Sequence, residues 1–247
     1  MNQSFYIGAI GAQQQLQRLN IHGDNIANVN TYGFKADRSR FTALMHQNHR
    51  GVEEELPMGV GTRLLMTSTD FSQGAPADSG RTLDYYIEGD GFFGLVDLAT
   101  GDVSFTRNGA FYMSQLERAT GSVDENGQPE MELVYCLGDG EGRFVLSETG
   151  GLIEITDPEE KLPVGIFDYV NYNGMEQIGD TRYLPVDKNG GLSYGTGILR
   201  QGMVERSNAD LAEELTKVIE SQRAYGMALK MVQTSDEIET TINNLRS

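Results

Sequence analysis

Both ends of the 247-residue chain carry apolar residues at alternating spacings of four and three, the repeat of a coiled-coil helix. The N-terminal stripe consists of Phe5, Ala9, Ala12, Leu16, Leu19 and Ile26. The C-terminal stripe consists of Leu211, Leu215, Val218, Gln222, Tyr225, Leu229 and Val232, and after a one-residue phase slip of Ser235, Ile238, Ile242 and Leu245. A narrow apolar stripe on a lone helix is unstable in water, because nothing covers it. Each terminal helix must therefore pack on the other or on a neighbouring molecule. We expect one set of stripe residues to be buried together: Leu16, Leu19, Leu215, Val218, Leu229 and Val232.

The middle of the chain has the pattern of short strands joined by tight turns. Asn-Gly pairs at 108–109, 126–127, 173–174 and 189–190 are typical of hairpins. Seven strands are predicted, at 85–87, 92–96, 103–105, 133–137, 144–146, 152–155 and 164–167. The predicted fold is α+β and multidomain, with a discontinuous terminal-helix coiled-coil domain and an all-β central domain. The predicted boundaries are 1–35 with 205–247 for the helical domain, 36–74 for an extended connecting segment and 75–204 for the β domain.

Turn-forming residues follow the first helix. Asn28 and Asn30 can bond their own local backbone, and Gly33 can take a positive φ. We expect these residues to form a hinge, with Phe34 packing back against the helical domain. At the other end, Ser207 or Asn208 is predicted to cap the second helix.

Charge restricts the partners. The formal net charge is −17, and 26 of the 36 acidic residues lie between positions 41 and 204. Such a surface repels phosphate backbones, so no nucleic acid is expected as a partner. No apolar run approaches the roughly 20 residues of a membrane-spanning helix. The N-terminus shows no cleavable signal, and the single cysteine, Cys136, lies in an apolar run that is typical of a buried strand.

No pattern predicts a catalytic, cofactor or metal site. His46 and His49 lack a third metal ligand, which favours solvated loop histidines. The acidic turns 124–127 and 139–142 do not match a calcium loop, and no lysine follows the glycines at 138–142 to bind phosphate. An acidic hydrolase and a closed oligomeric binding module are the remaining alternatives.

Several motifs resemble those of one family. The stretch from Asn25 to Asp37 resembles the N-terminal signature of the flagellar axial proteins of rod and hook, and Asn25, Asn28, Asn30, Gly33 and Phe34 belong to it. The stretches 202–214, which contains Ser207 and Asn208, and 219–225 resemble the C-terminal signature. The stretches 88–93 and 106–111 are similar to motifs of the rod proteins in particular. On this resemblance the sequence is identified as a member of the flagellar basal-body rod protein family.

The resemblance implies a structural subunit rather than an enzyme. The flagellar export apparatus would pass it unfolded, without cleaving a signal, to a rod in the cell envelope outside the cytoplasmic membrane. The end segments would form an inner coiled coil with the β domain outside it, and the helical homopolymer would transmit torque to adjacent rod and hook proteins. A hook-type, other axial or junction protein, or a secreted β-domain binding module, is the alternative. Residues 41–70 are shorter than the insertion expected of a distal rod protein, which leaves the proximal rod open.

Overall fold

The computed structural model describes residues 3–43, 47–48, 57–58, 62–123, 129–157, 160–179 and 181–246. Its contacts divide the chain into two compact units. The helical unit contains Met1–Val29, Ala36–Asp70 and Ala209–Ser247, and the β unit contains Asn30–Lys35 and Phe71–Asn208. Both His46 and His49, and the acidic turn at 124–127, lie outside the described residues.

The helical unit is built from two long helices and a hairpin. Its elements are α1 (Gln3–Ala27), β1 (Asp37–Ala43), β2 (Gln47–Asn48), β3 (Pro57–Met58), β4 (Thr62–Thr69) and α2 (Leu211–Arg246). β1 pairs antiparallel with β4, and both strands contact α1. These strands lie in the segment for which an extended connection is expected from the sequence. The predicted domain boundaries stay predictions.

The second helix begins at Leu211, two or three residues later than a cap at Asn208 or Ser207 would place it. Asp210 caps it, because its Oδ1 accepts hydrogen bonds from the backbone N–H of Ala212 at 2.8 Å and of Glu213 at 3.2 Å. The prediction that Ser207 or Asn208 is the cap was wrong, since the Asn208 side chain binds Ser72 instead. With 36 residues, α2 is about 54 Å long.

The β unit contains the remaining strands. They are β5 (Pro76–Asp78), β6 (Tyr85–Glu88), β7 (Phe92–Asp97), β8 (Val103–Thr106), β9 (Tyr112–Val123), β10 (Pro129–Gly138), β11 (Arg143–Val145), β12 (Ile166–Tyr169), β13 (Glu176–Gln177), β14 (Arg182–Leu184), β15 (Leu192–Tyr194), β16 (Ile198–Gln201) and β17 (Met203–Glu205). The main sheet has the order β13-β14-β8-β7-β11-β10-β9, and β12 pairs with β7 and β15. β16 pairs with β6, and β17 pairs with β5. The predicted fold class, terminal helices around a central all-β part, is confirmed.

Two apolar clusters form the core of the β unit. One is built around Tyr85, Phe93 and Leu137, and the other around Phe92, Phe105 and Tyr183. Most predicted strands are present, but 152–155 makes only isolated bridges to Leu146 and Cys136. That segment still fills the core, because Ile153 is only 2% exposed. No helix in the described part of the chain is long and apolar enough to cross a membrane.

Candidate assembly surface and signature turn

The two long helices pack antiparallel through small and polar residues. His22, near the end of α1, contacts Glu214 at the start of α2, and Gly8 lies against Ala228 and Val232. A Cβ on Gly8 would lie 2.9 Å from Val232 Cγ2, so the backbone of α1 approaches α2 closely there. We call this contact face the inner seam. It consists of Gly8, Gly11 and His22 on α1, and of Glu214, Ser221, Ala228, Val232 and Ser235 on α2.

A buried contact between His22 and Glu214 fixes the register of the inner seam. His22 Nδ1 lies 2.6 Å from Glu214 Oε2, and both side chains are at most 7% exposed. Lys217 Nζ donates to the other carboxylate oxygen at 3.1 Å. Burial alone would raise the pKa of Glu214, but hydrogen bonds from Lys217, His22 and Asn25 outweigh it and lower this pKa below its ordinary value of 4.5. A shifted register would remove the hydrogen bonds of His22 and Asn25 from the buried Glu214 carboxylate.

The helix pair also buries polar atoms that accept or donate no hydrogen bond among the described residues. They are Gln15 Oε1, His22 Nε2, Ser221 Oγ and Ser235 Oγ. Each such atom costs on the order of 1–3 kcal/mol. The inner seam therefore specifies how the helices align more than it stabilises them.

Most of the predicted helix-packing residues lie beside the inner seam rather than in it. Ala12 is buried; Phe5, Leu19, Ile26, Val218, Tyr225 and Val232 are partly buried; Ala9, Leu16, Leu211, Leu215 and Leu229 are exposed. The expected joint burial was wrong for Leu16, Leu215 and Leu229, which are 45%, 47% and 39% exposed. Their role in polymerisation stays a prediction.

A heptad repeat explains the error. In such a repeat, two neighbouring stripes along one helix have the same seven-residue spacing. The prediction chose the more apolar stripe, whereas the helices contact each other mainly through the other one. Glu214, Ser221, Ala228 and Ser235 follow each other at steps of seven, so the inner seam of α2 needs no phase slip. The spacing of these small and polar residues was the signal that could have revealed the face.

Large apolar side chains consequently remain exposed on the helices. We call these residues the outer apolar set: Leu16, Leu211, Leu215, Ile219, Met227, Leu229, Met231, Ile238, Ile242 and Leu245. An apolar surface of this density usually marks a contact with another molecule.

In the β unit, the signature turn Asn30–Lys35 depends on Gly33. Its φ is +68°, in the left-handed region expected from the sequence. A Cβ there would lie 2.2 Å from Asn108 N, so the turn touches backbone that no side chain could displace cheaply. Gly33 N–H donates to Glu205 O at 2.8 Å. Only glycine fits both the conformation and the contact.

Next to this turn, Glu205 binds two buried cations. Its Oε1 lies 2.5 Å from Lys35 Nζ, and its Oε2 lies 3.3 Å from Arg107 Nη1. All three side chains are at most 3% exposed. Backbone carbonyl groups also stabilise the two cations, because Lys35 donates to Ser72 O and Arg107 donates to Gly89 O, both at 2.8 Å. We call Lys35, Arg107 and Glu205 the buried ion cluster.

The cluster joins motifs that are far apart in sequence. Lys35 belongs to the N-terminal motif, Arg107 to the motif at 106–111 and Glu205 to the C-terminal motif. The contacts among these three residues could not be predicted from the sequence, because a pair separated by 170 positions, such as Lys35 and Glu205, leaves no local signal.

The other signature residues make defined local contacts. Asn25, fully buried in the helical unit, donates to Asp37 O and accepts from Asp37 N, both at 2.9 Å. Asn28 Nδ2 donates to Asp24 O at 2.9 Å at the end of α1. In the β unit, Phe34 is 6% exposed and its carbonyl accepts from Asn208 N at 3.4 Å. Asn30 is exposed and Ser207 partly buried, and the predicted hinge and the packing of Phe34 on the helices stay predictions.

The described residues contain no group of three His, Cys, Asp or Glu side chains that could hold a metal ion. Cys136 is 1% exposed, and burial raises the pKa of its thiol, which opposes formation of a reactive thiolate.

Known proteins match both ends and the full length. Residues 5–35 match the family described as flagella basal body rod protein, and residues 200–245 match the C-terminal family of flagellar basal body rod FlgEFG proteins. The flagellar basal-body rod protein FlgG of Bacillus subtilis is 32% identical over all of both chains. FlgG of Buchnera aphidicola from Schizaphis graminum is 32% identical over 98% of this chain and 99% of its own length. FlgG of Borreliella burgdorferi is 30% identical over 100% and 99% of the two chains. The chain belongs to the flagellar basal-body rod protein family.

Proposed function

We propose that this chain is a structural subunit of the flagellar basal-body rod, and that it polymerises through its terminal helices into part of the torque-transmitting shaft. The outer apolar set carries the proposal. Its side chains are left uncovered beside an inner seam that is filled by small and polar residues, so each helix pair presents an apolar surface to its neighbours.

The buried ion cluster supports a mechanical role. Three distant motifs are fixed to one another by charges that would cost several kcal/mol to separate. A part that transmits torque needs such rigid internal connections rather than a reactive site. The proposed work requires neither catalysis nor a cofactor.

The proposed partners are second copies of this chain and the adjacent rod and hook proteins. The flagellar export apparatus would carry the unfolded chain out of the cell without cleaving a signal. The resulting location is the basal body, in the envelope outside the cytoplasmic membrane.

Immunogold labelling of purified basal bodies tests this function. We expect label on the rod, both in the parent and in a strain without hook protein. A strain lacking this chain should make no complete rod and should not swim. Complete rods in that strain, or label elsewhere in the envelope, would contradict the proposal.

A further inference from the structure

A polar cavity of about 680 Å³ opens in the β unit beside the signature turn. Thr31 and Tyr32 of the turn line one part of it, and Asp78, Arg81 and Asp84 line another. Neither the inner seam nor the buried ion cluster includes these residues.

Asp84 is the unusual group in this cavity. It is 2% exposed, yet its Oδ1 accepts no hydrogen bond from any described residue. Its main chain is fixed, because Asp84 N–H donates to Arg81 O at 3.2 Å and Asp84 O accepts from Gly202 N at 2.8 Å. Buried carboxylate oxygens normally accept hydrogen bonds, so the Asp84 carboxylate has an unused acceptor beside the cavity.

The nearest cation is held elsewhere. Arg81 Nη1 lies 3.5 Å from Asp84 Oδ1, without the geometry of a hydrogen bond. Arg81 Nη2 donates to Phe111 O at 2.9 Å, and the guanidinium carbon lies 4.7 Å from the centre of the Tyr112 ring. Moving Arg81 closer to Asp84 would weaken both contacts.

The charge of the lining favours a positive ligand. Asp139 also lines the cavity, but Arg143 binds its carboxylate. Asp84 and the exposed Asp78 then face the single charge of Arg81, which leaves the lining negative. An ammonium or guanidinium group would supply both the missing hydrogen bond and the missing charge.

We propose that this cavity receives a lysine or arginine side chain from a second copy of this chain. The inference rests on the proposed function, in which copies pack together. Copies with a net charge of −17 repel one another unless cations meet acidic sites at their contacts. Such cations exist, because Arg206, Arg223 and Lys230 are exposed and make no salt bridge to the residues that the structure describes.

Titration of the full-length monomer with N-acetyl-argininamide, followed by NMR, tests the cavity itself. We expect saturable shifts at Arg81, Asp84 and Tyr112 with a dissociation constant on the order of millimolar, and none with the uncharged N-acetyl-leucinamide. Asp84→Asn should weaken binding about tenfold, by the loss of one charge-assisted hydrogen bond, while the exposed Asp102→Asn should not change it. The absence of saturable shifts, or equal affinity of D84N and parent, would overturn the proposal.

A photo-reactive phenylalanine at Tyr32, which is 45% exposed, identifies the occupant in assembling cells. We expect a cross-linked product of twice 27.2 kDa that contains two copies of this chain. A cross-link to a different protein would overturn the assignment to a second copy. Failure of the proposed rod function alone would leave the titration of the monomer unchanged, so the two failures are distinguishable.

Discussion

Gly33 combines a left-handed backbone with a close contact, and these two requirements can be separated. Gly80 has nearly the same φ, +67°, but a Cβ added there would meet nothing within 4 Å. We expect Gly80→Ala to lower the free energy of unfolding by roughly 1–2 kcal/mol, from backbone strain alone. Gly33→Ala should cost clearly more, because its Cβ would collide with Asn108. Urea denaturation of both variants measures the difference, and equal losses would show that the contact at Gly33 is unimportant.

The buried ion cluster should depend on Glu205. Glu205→Gln removes the one carboxylate between two buried cations, so we expect a loss of about 3–5 kcal/mol in the free energy of unfolding of the β unit. The matched control is Glu88→Gln, since the pair of Glu88 with Arg200 is more than half exposed and should contribute at most about 1 kcal/mol. Chemical denaturation monitored by tyrosine fluorescence compares the two variants. A small effect of E205Q would mean that water reaches the cluster.

For single residues, the backbone conformation could be predicted from the sequence better than the partners of a side chain. The positive φ of Gly33 followed from the turn residues around it, because backbone preference is local. The partners of Glu205 could not be predicted in the same way, since they depend on how the signature turn, the end of β8 and β17 come together in the fold. The cap of α2 was misplaced by two or three residues, because Ser207, Asn208 and Asp210 are all good caps and only tertiary contacts distinguish them.

Among the elements, α1 contains two glycines with opposite surroundings. Gly23 meets nothing within 4 Å, so Gly23→Ala should stabilise the helix by up to about 1 kcal/mol. A Cβ on Gly8 would lie 2.9 Å from Val232 Cγ2 and 3.2 Å from Ala228 O. We expect Gly8→Ala to lose that gain and to weaken the helix pair. Thermal melting followed by the helical circular dichroism signal tests this, and equal stabilisation by the two changes would show that the close approach at Gly8 is absent.

The inner seam should respond to acid through Glu214. Its folded pKa is lowered, so its stabilising contribution is complete above the unfolded value near 4.5 and is lost as the pH falls through the folded value. Glu214→Gln should therefore be less stable than the parent at neutral pH, and the difference should shrink as the pH falls below 4.5. The control is the exposed Glu220→Gln, which should follow the parent at every pH. A difference that stays constant from neutral to acid would contradict the role of the Glu214 charge.

The existence of both helices could be predicted from their heptad spacing, but their contact face could not. Apolar residues are usually buried, and this rule favoured Leu215 and Leu229 over Ser221 and Ala228. The rule fails here because the seven-residue period admits either stripe, and the small stripe lets the backbones approach. In the proposed polymer, neighbouring copies cover the apolar stripe that contains Leu215 and Leu229. Part of the heptad spacing then reflects contacts between copies rather than contacts within one chain.

At the scale of the whole molecule, the division into terminal helices and a β-rich middle followed from the apolar stripes at the two ends and the Asn-Gly pairs between them. The strand β9 was missed, since its polar residues Ser114, Gln115 and Glu117 hide the alternation of a largely exposed hairpin. Motifs that are separate in sequence matched the family signature, and the buried ion cluster gives a physical reason for three of them to occur together.

We expect the outer apolar set to form the polymer contacts. The double variant Leu215→Ser, Leu229→Ser should change the free energy of unfolding of the monomer by no more than about 0.5 kcal/mol per site, because both side chains are exposed. The control is Leu98→Ser, Val170→Ser, two exposed apolar residues of the β unit.

Electron microscopy of basal bodies from cells that carry each double variant in place of the parent chain is the most direct measurement. We expect no complete rods and no swimming with L215S/L229S, and normal rods with L98S/V170S. Complete rods of normal length with L215S/L229S would show that these side chains are not polymer contacts.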